Sequence, residues 1–306
     1  MYSTKFQPNK PFFVTPDDGP AKSYANFLQD LNHSADLKRE SSQYSTICQV
    51  CHLILTGSNF CFRDNNLEVE TDLEAKREIH ADNFASVFAE SNSQIRLMTS
   101  GTTGIPKTVT HDVHSLTRGI QVSKNHSRDV WGLAYPLEHL SGLQVLFQAI
   151  LNGNTIVQLF EYSGRTIHTA IQDHSVTHLS CTPTFLKLLG TESNSHKNVR
   201  RLTTGGERID SSTRASINQL FPNAKHRNIY ALTEVGNLFI SDGEIFTVPR
   251  KLNELICILD ETLAIHRSLL ANFVPEKQAK SGDWYITGDL VDIIETNPLR
   301  FKFRAR

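Results

Sequence analysis

The sequence lacks an excess of either charge. Its 31 lysines and arginines stand against 32 acidic residues, for a net charge of -1. Such a balance creates no whole-molecule field to draw in nucleic acid or an anionic membrane, and no arginine-rich stripe with interleaved aromatics appears, so neither is an expected partner. Long apolar runs are missing too. None approaches the roughly 20 residues of a membrane-spanning helix. The opening segment, Met1 to Phe13, is polar and lacks the apolar core of a signal peptide. The cytoplasm is the expected location. Cysteine is scarce and odd in number (Cys48, Cys51, Cys61, Cys181 and Cys257), which argues for reduced thiols rather than a disulfide framework. Cys48, Cys51 and His52 match the spacing of a haem c attachment site. They fall, however, in a mostly apolar segment that reads as a helix, and no second Cys/His pair stands at zinc-ligand spacing. Buried helix cysteines are the expectation.

What is present is enough apolar residue, 39% of 306, to bury a sizeable core. Strand-like and helix-like stretches alternate, which points to an α/β fold of layered sheets flanked by helices. Helices are expected over 22–32 and 44–56, the second closed by Gly57, with strands at 59–62 and 94–98. Further on, helices are expected near 113–124, 142–152, 163–173, 183–190 and 211–220, alternating with strands at 130–134, 155–160, 176–180 and 199–203. From residue 237 the pattern changes to short alternating runs (238–241, 244–248, 254–259 and 263–266), the mark of antiparallel hairpins in a smaller β subdomain.

The most informative segment is Thr99, Ser100, Gly101, Thr102, Thr103, Gly104, Ile105, Pro106 and Lys107, read as a loop between a strand and a helix. Glycines let consecutive N–H groups point into one concavity, the hydroxyls add donors, and Lys107 adds a compact positive charge. Such a loop can hold a triphosphate. It is not a Walker loop, because no Gly-Lys-Ser/Thr ends it, so a P-loop NTPase is set aside. In isolation a stretch of this composition is an ordinary loop. The order of its residues, however, resembles the phosphate loop of the adenylate-forming superfamily, Thr-Ser-Gly-Thr-Thr-Gly-x-Pro-Lys, which includes acyl- and aryl-CoA ligases, luciferases and peptide-synthetase adenylation domains.

Further segments follow in that family's order. Pro136 to Gly142 resembles its Pro-Leu-x-His-x-x-Gly turn, and implies that His139 borders the acyl pocket and gates it. Thr204, Gly205, Gly206 and Glu207 resemble the turn that packs along adenine. Asn228 to Glu234 is similar to Asn-x-Tyr-Gly-x-Thr-Glu. This implies that Tyr230 stacks on adenine, Thr233 meets the α-phosphate and Glu234 coordinates Mg²⁺, an ion that takes oxygen ligands from protein and phosphate. Ala231 replaces the usual glycine and should narrow the pocket floor. Trp284 to Asp289 resembles Tyr-x-Thr-Gly-Asp, implying that Asp289 accepts from both ribose hydroxyls. Phe303 to Arg306 resembles Phe-x-Gly-Arg, with Ala305 for glycine and Arg306 facing ribose and phosphate.

The resemblance implies one large AMP-binding domain over 1–306, divided into layered α/β subdomains to 236 and a mainly β part from 237 to an interdomain hinge. The stretch before the loop is short, as in shorter bacterial members such as some o-succinylbenzoate–CoA ligases. The family's small C-terminal domain, with the lysine that bridges carboxylate and α-phosphate, is expected to be absent, which would impair adenylation. The implied activity is ATP- and Mg²⁺-dependent conversion of a carboxylic acid to an acyl-adenylate with release of pyrophosphate, followed by transfer to a thiol of CoA or an acyl carrier protein. Lys107, His139, Thr233 and Glu234 would be its catalytic residues. A pocket between the His139 turn, helix 142–150, Gly205 to Glu207 and Ala231 to Gly236 is expected to be small and largely apolar, suiting an aryl or short acyl acid. The competing expectation is a nucleotide-binding module without catalysis that needs a partner for activity.

Overall fold

The alternation of apolar strands with capped helices resolves into three sheets in the computed structural model, which describes residues 6–17, 19–33, 42–63, 66–71, 78–99, 107–190, 195–271 and 282–304. In chain order come β1 (Pro11–Val14), β2 (Lys22–Ser23), α1 (Tyr24–Asn32), α2 (Gln43–Thr56), β3 (Asn59–Arg63), β4 (Asn66–Thr71), α3 (Phe84–Ala89), β5 (Gln94–Thr99), β6 (Lys107–Asp112) and α4 (Val113–Thr117). Next are β7 (Val130–Leu133), α5 (Leu140–Leu151), β8 (Thr155–Gln158), α6 (Gly164–Asp173), β9 (His178–Cys181), α7 (Pro183–Leu189), β10 (Arg201–Gly205) and α8 (Ser211–Leu220). The last part is β-rich: β11 (Lys225–Leu232), β12 (Gly236–Ser241), β13 (Ile245–Thr247), β14 (Ile256–Leu259), β15 (Thr262–His266), β16 (Trp284–Thr296) and β17 (Leu299–Phe303).

The eight-stranded sheet runs β12-β11-β10-β9-β7-β8-β1-β2, parallel from β11 to β1 and closed on each side by an antiparallel strand. Parallel strands need crossovers, and α6, α7 and α8 supply them after β8, β9 and β10. A four-stranded sheet, β4-β3-β5-β6, and an antiparallel five-stranded sheet, β13-β17-β16-β15-β14, complete the layers. This is the expected α/β architecture with hairpins toward the C-terminus. No described helix is long and apolar enough to cross a membrane.

Local chemistry explains the helix ends. Ser42 caps α2 through Ser45 N–H, and Gly57 closes it at φ 78°, in the left-handed region that glycine tolerates. Thr182 caps α7 with Pro183 in its first turn, and Asp210 caps α8 through Thr213 N–H. Cys48 and Cys51 lie on α2 with both thiols buried, and burial pushes Cys48 up to about 12. Helix α5 is apolar nearly all round because its residues pack into one core shared by Leu133 and Ile156 of the large sheet and Phe60, Ile95 and Leu97 of the four-stranded sheet.

Two expectations are corrected. Helix α4 ends at Thr117 rather than near 124. The chain beyond it, interrupted by Gly119, runs irregularly so that Ile120 and Val122 reach the α5 core, and tertiary burial overrides the helical spacing. Lys107 opens strand β6, not a helix, so residues 100–106 connect two antiparallel strands.

Candidate functional site

Strands β6 and β16 reach the carboxyl ends of β10 and β11, the place where open parallel sheets bind ligands. Strands β5 and β6 pair with Thr99 opposite Lys107, so both ends of the hydroxyl-rich loop are pinned together. Ser100 to Gly104 and Arg306, assigned to phosphate and ribose from the sequence, lie outside the described residues, as does the Thr99 side chain. Lys107 is half-buried at the start of β6.

Strand β11 carries the fourth motif. Its register against β12 shifts between Tyr230 and Ala231, and the chain then turns through Thr233 and Glu234. The Tyr230 hydroxyl donates to Asp289 Oδ2 at 2.7 Å, which joins motifs 59 residues apart. Burial first, and then the neighbouring Asp289 carboxylate, push the Tyr230 phenol far above its ordinary range, so it stays a donor. The Tyr230 ring stacks on Phe303, centroids 4.4 Å apart at 26°. Sequence reading assigns this ring to adenine; here Phe303 lies against it. Asp289 is 8% exposed, and its N–H donates to Thr287 Oγ1, whose hydroxyl in turn donates to Leu263 O.

Glu234 Oε1 accepts the Tyr285 hydroxyl at 2.9 Å, and the Glu234 carbonyl accepts Ala271 N–H at 2.7 Å. The side chain is held by Tyr285 at one oxygen while partly open, and no described residue bonds Oε2. A hard divalent cation such as Mg²⁺ asks for this kind of oriented oxygen ligand. Two residues that the sequence reading missed hold the turn. His111 of β6 places Nε2 2.6 Å from Thr233 O, and the Arg118 guanidinium donates to Val235 O. Burial lowers the His111 pKa, so its ring serves as a neutral donor. It links the strand leaving the hydroxyl-rich loop to Thr233. A lone histidine carries no motif, and only strand packing discloses this one.

Gly205 ends β10 and Gly206 follows it. Gly206 has φ 79° with open space where a side chain would project, and a Cβ on Gly205 would come within 3.0 Å of Ile229 O. The turn thus presents bare backbone, as a flat ring requires. Glu207, grouped with it from the sequence, is exposed and accepts from Thr184 N–H and Oγ1 at 3.0 and 2.7 Å, bracing the start of α7. Asn228 is buried and donates to Gly243 O at 3.2 Å, securing the hairpin after β12.

Next to Gly205, Gly206 and Ala231 opens a cavity of about 250 Å³. Helix α5 contributes Ser141, Gln144, Val145 and Gln148, as expected, but His139 does not line it. His139 is the exposed N-terminal boundary residue of α5, and its side chain makes no capping bond. Nearby Gly142 is held to glycine, because a Cβ would collide with the Pro136 carbonyl. The lining is mostly apolar, as expected, but polar groups interrupt it. Arg118, Ser180 and Thr203 join the two glutamines, because β9, β10 and the segment after α4 reach the cavity from positions that no motif marks.

Comparisons with known proteins bear on the family and the fold. The 2-succinylbenzoate–CoA ligase of Bacillus subtilis (strain 168) is 28% identical over 185 residues, covering 54% of this chain and 37% of the relative. That of Staphylococcus aureus (strain JH9) is 28% identical over 152 residues, 47% of this chain and 30% of its own length. The aligned part therefore spans about a third of these curated relatives. Among solved structures, o-succinylbenzoate CoA synthetase (MenE) from Bacillus subtilis in complex with the acyl-adenylate intermediate OSB-AMP matches with TM-score 0.70 at 17% identity, over 98% of this chain and 76% of that one. The N-terminal domain of FACL13 from Mycobacterium tuberculosis matches with TM-score 0.64 at 16% identity, over 98% and 96%. The family model described as AMP-binding enzyme matches residues 51–255. The chain, with the fold of the large domain of adenylate-forming enzymes, belongs to the AMP-binding enzyme family.

Proposed function

We propose that the protein activates a carboxylic acid, aryl or short acyl, as its acyl-adenylate at the expense of ATP, for transfer to the thiol of CoA or an acyl carrier protein. The observation that carries this reading is the junction at the end of β11, where Tyr230 meets Asp289 and Tyr285 meets Glu234 beside the Gly205–Gly206 turn. A diol is recognised by a carboxylate that accepts two bonds, and Asp289 would take that role toward ribose. The loop anchored by Thr99 and Lys107 would take the β- and γ-phosphates. Thr233, its backbone fixed by His111, would donate its hydroxyl to the α-phosphate.

Bound at Glu234, Mg²⁺ would neutralise phosphate charge during displacement. The acid lies in the cavity, with its carboxylate oxygen directed past Ala231 toward the α-phosphate. Attack forms the O–P bond of the adenylate and expels pyrophosphate. Adenine would lie on the Gly205–Gly206 backbone, with Phe303 yielding its place on Tyr230. The cavity, at about 250 Å³, is just below the usual range for small-molecule sites of about 300 Å³ upward, which favours a small acid. Arg118 and Gln144 in its wall favour one with a second polar group.

The curated relatives are 2-succinylbenzoate–CoA ligases, and that name supports an aromatic acid with CoA as acceptor. ATP–pyrophosphate exchange across a panel of aryl, succinyl-aryl and short-chain acids, with and without CoA, tests the proposal. Exchange with at least one small acid and none with long-chain acids is expected. Nucleotide binding with no exchange for any acid would favour a module that binds without catalysis, a reading consistent with the Tyr230 ring and hydroxyl both being engaged internally.

A further inference from the structure

A second cluster lies at the opposite end of the parallel strands of the large sheet, where β7 and β9 begin. Asp129 immediately precedes β7, His178 opens β9, and His126 ends the single 3-10 turn Lys124–His126 just before them. Parallel pairing sets Trp131 opposite His178 and so brings His178 beside Asp129. Asp129 Oδ2 stands 2.9 Å from His126 Nδ1 and 3.4 Å from His178 Nε2. The three donor atoms all lie within 4.8 Å of one another. Asp129 and His178 are buried, with side chains 4% and 6% exposed, whereas His126 is 26% exposed and opens the cluster to solvent.

Thr177 packs against the far side of the His178 ring. Its hydroxyl accepts Val130 N–H at 2.8 Å and lies 3.2 Å from Val130 O and 2.9 Å from His178 Nδ1. With its one hydrogen on Val130 O it accepts from Nδ1–H, which leaves the Nε2 lone pair, the atom a metal needs, toward Asp129. Nε2 and Asp129 Oδ2 stand 3.4 Å apart. That separation is long for a charge-assisted hydrogen bond, about 2.7–2.9 Å. It equals the edge of a tetrahedron with zinc bonds of about 2.0–2.1 Å, roughly 3.4 Å.

We propose that His126 Nδ1, Asp129 and His178 Nε2 bind a divalent transition metal of the zinc class, with a fourth position open to water on the His126 side. Two imidazoles and one carboxylate are a zinc-type donor set, and a hard ion such as Mg²⁺ or Ca²⁺ would want more oxygens. The surroundings act as supports. Arg200 holds Asp129 Oδ1 at 3.1 Å, Thr177 Oγ1 stands 2.9 Å from His178 Nδ1 and can accept its proton, and Asn154 Nδ2 binds His126 O at 2.6 Å. Arg200 and Lys10, whose amine sits on Ser127 O and Gly153 O, also put positive charge nearby, which disfavours a weakly ligated cation and leaves directional nitrogen coordination as the driving force. His126 moves outward a few tenths of an ångström to open the 2.9 Å edge. The bound ion clamps the starts of β7 and β9 to the turn before them.

Calorimetry with Zn²⁺ alone, on the whole chain stripped by chelator, tests the site. One ion per chain is expected to bind, and His126→Gln, at the most exposed ligand, is expected to weaken it by about 100-fold or more. Co²⁺ supplies a local readout, because the Trp131 ring is 4.9 Å from His178. Co²⁺ should quench Trp131 emission, Trp131→Phe should remove that quenching, and His126→Gln should remove it while the melting temperature without metal is unchanged. Zn²⁺ binding of equal strength in His126→Gln, quenching that survives in Trp131→Phe, or no binding at about 100 µM free Zn²⁺ would overturn the proposal.

Discussion

Replacing Asp289 by asparagine probes the proposed nucleotide site with little change of shape. Asp289 is 8% exposed, and one of its oxygens accepts the Tyr230 hydroxyl at 2.7 Å. An asparagine keeps one oxygen, which can retain the Tyr230 bond, and turns the other into an amide NH₂ that cannot accept from ribose. Nucleotide binding then loses one charge-assisted hydrogen bond, about 1.5–3 kcal/mol, which is a weakening of about 10- to 150-fold in Kd. The assay is calorimetric titration with AMP, alongside a thermal melt of the free protein. Tyr230→Phe is the control. It removes one internal donor from a buried carboxylate, so the free protein should lose about 1–2 kcal/mol of stability while AMP affinity changes by less than about fivefold. An Asp289→Asn protein that melts normally and binds AMP within about twofold of the unaltered chain would refute the ribose assignment.

Three further outcomes are expected. Gly142→Ala pushes a methyl into the Pro136 carbonyl and should cost about 1–3 kcal/mol, read as a lowered urea midpoint; an unchanged midpoint would contradict the packing described. Ala231→Leu should fill part of the cavity, weakening acid binding by about tenfold or more while AMP binding is retained, as measured by separate titrations. Burial, and then the neighbouring His168, lower the pKa of His196 to about 4. The folded ring is therefore neutral where the unfolded one, with an ordinary pKa of about 6.5, takes up a proton. Stability from this residue is complete above about 6.5 and falls as pH drops toward about 4, by about 2 kcal/mol at pH 5. Urea midpoints near pH 7.5 and 5 should separate by less in His196→Gln, whose amide does not titrate; an equal separation would remove His196 as the cause.

Sequence alone determined what is local or linear. Helix α8 begins and ends where its spacing says it should, with Asp210 capping it, and Gly57 stops α2, because capping and amphipathic spacing act over a few residues. The order of six motifs gave the family, since each holds its chemistry within a short run. What required the tertiary structure is what depends on residues far apart meeting. The Tyr230–Asp289 bond crosses 59 positions, and the contact from His111 to Thr233 crosses 122. Helix α4 was cut short because burying Ile120 and Val122 outweighs helical continuation. The polar groups Ser180, Thr203 and Arg118 in the cavity wall stand on β9, on β10 and after α4 at positions outside every motif. His178 and Asp129, 49 positions apart, became neighbours only because β7 and β9 are adjacent and in register. A sheet aligns strands by hydrogen bonding and packing across the whole domain, and linear spacing holds no record of which strand ends lie side by side.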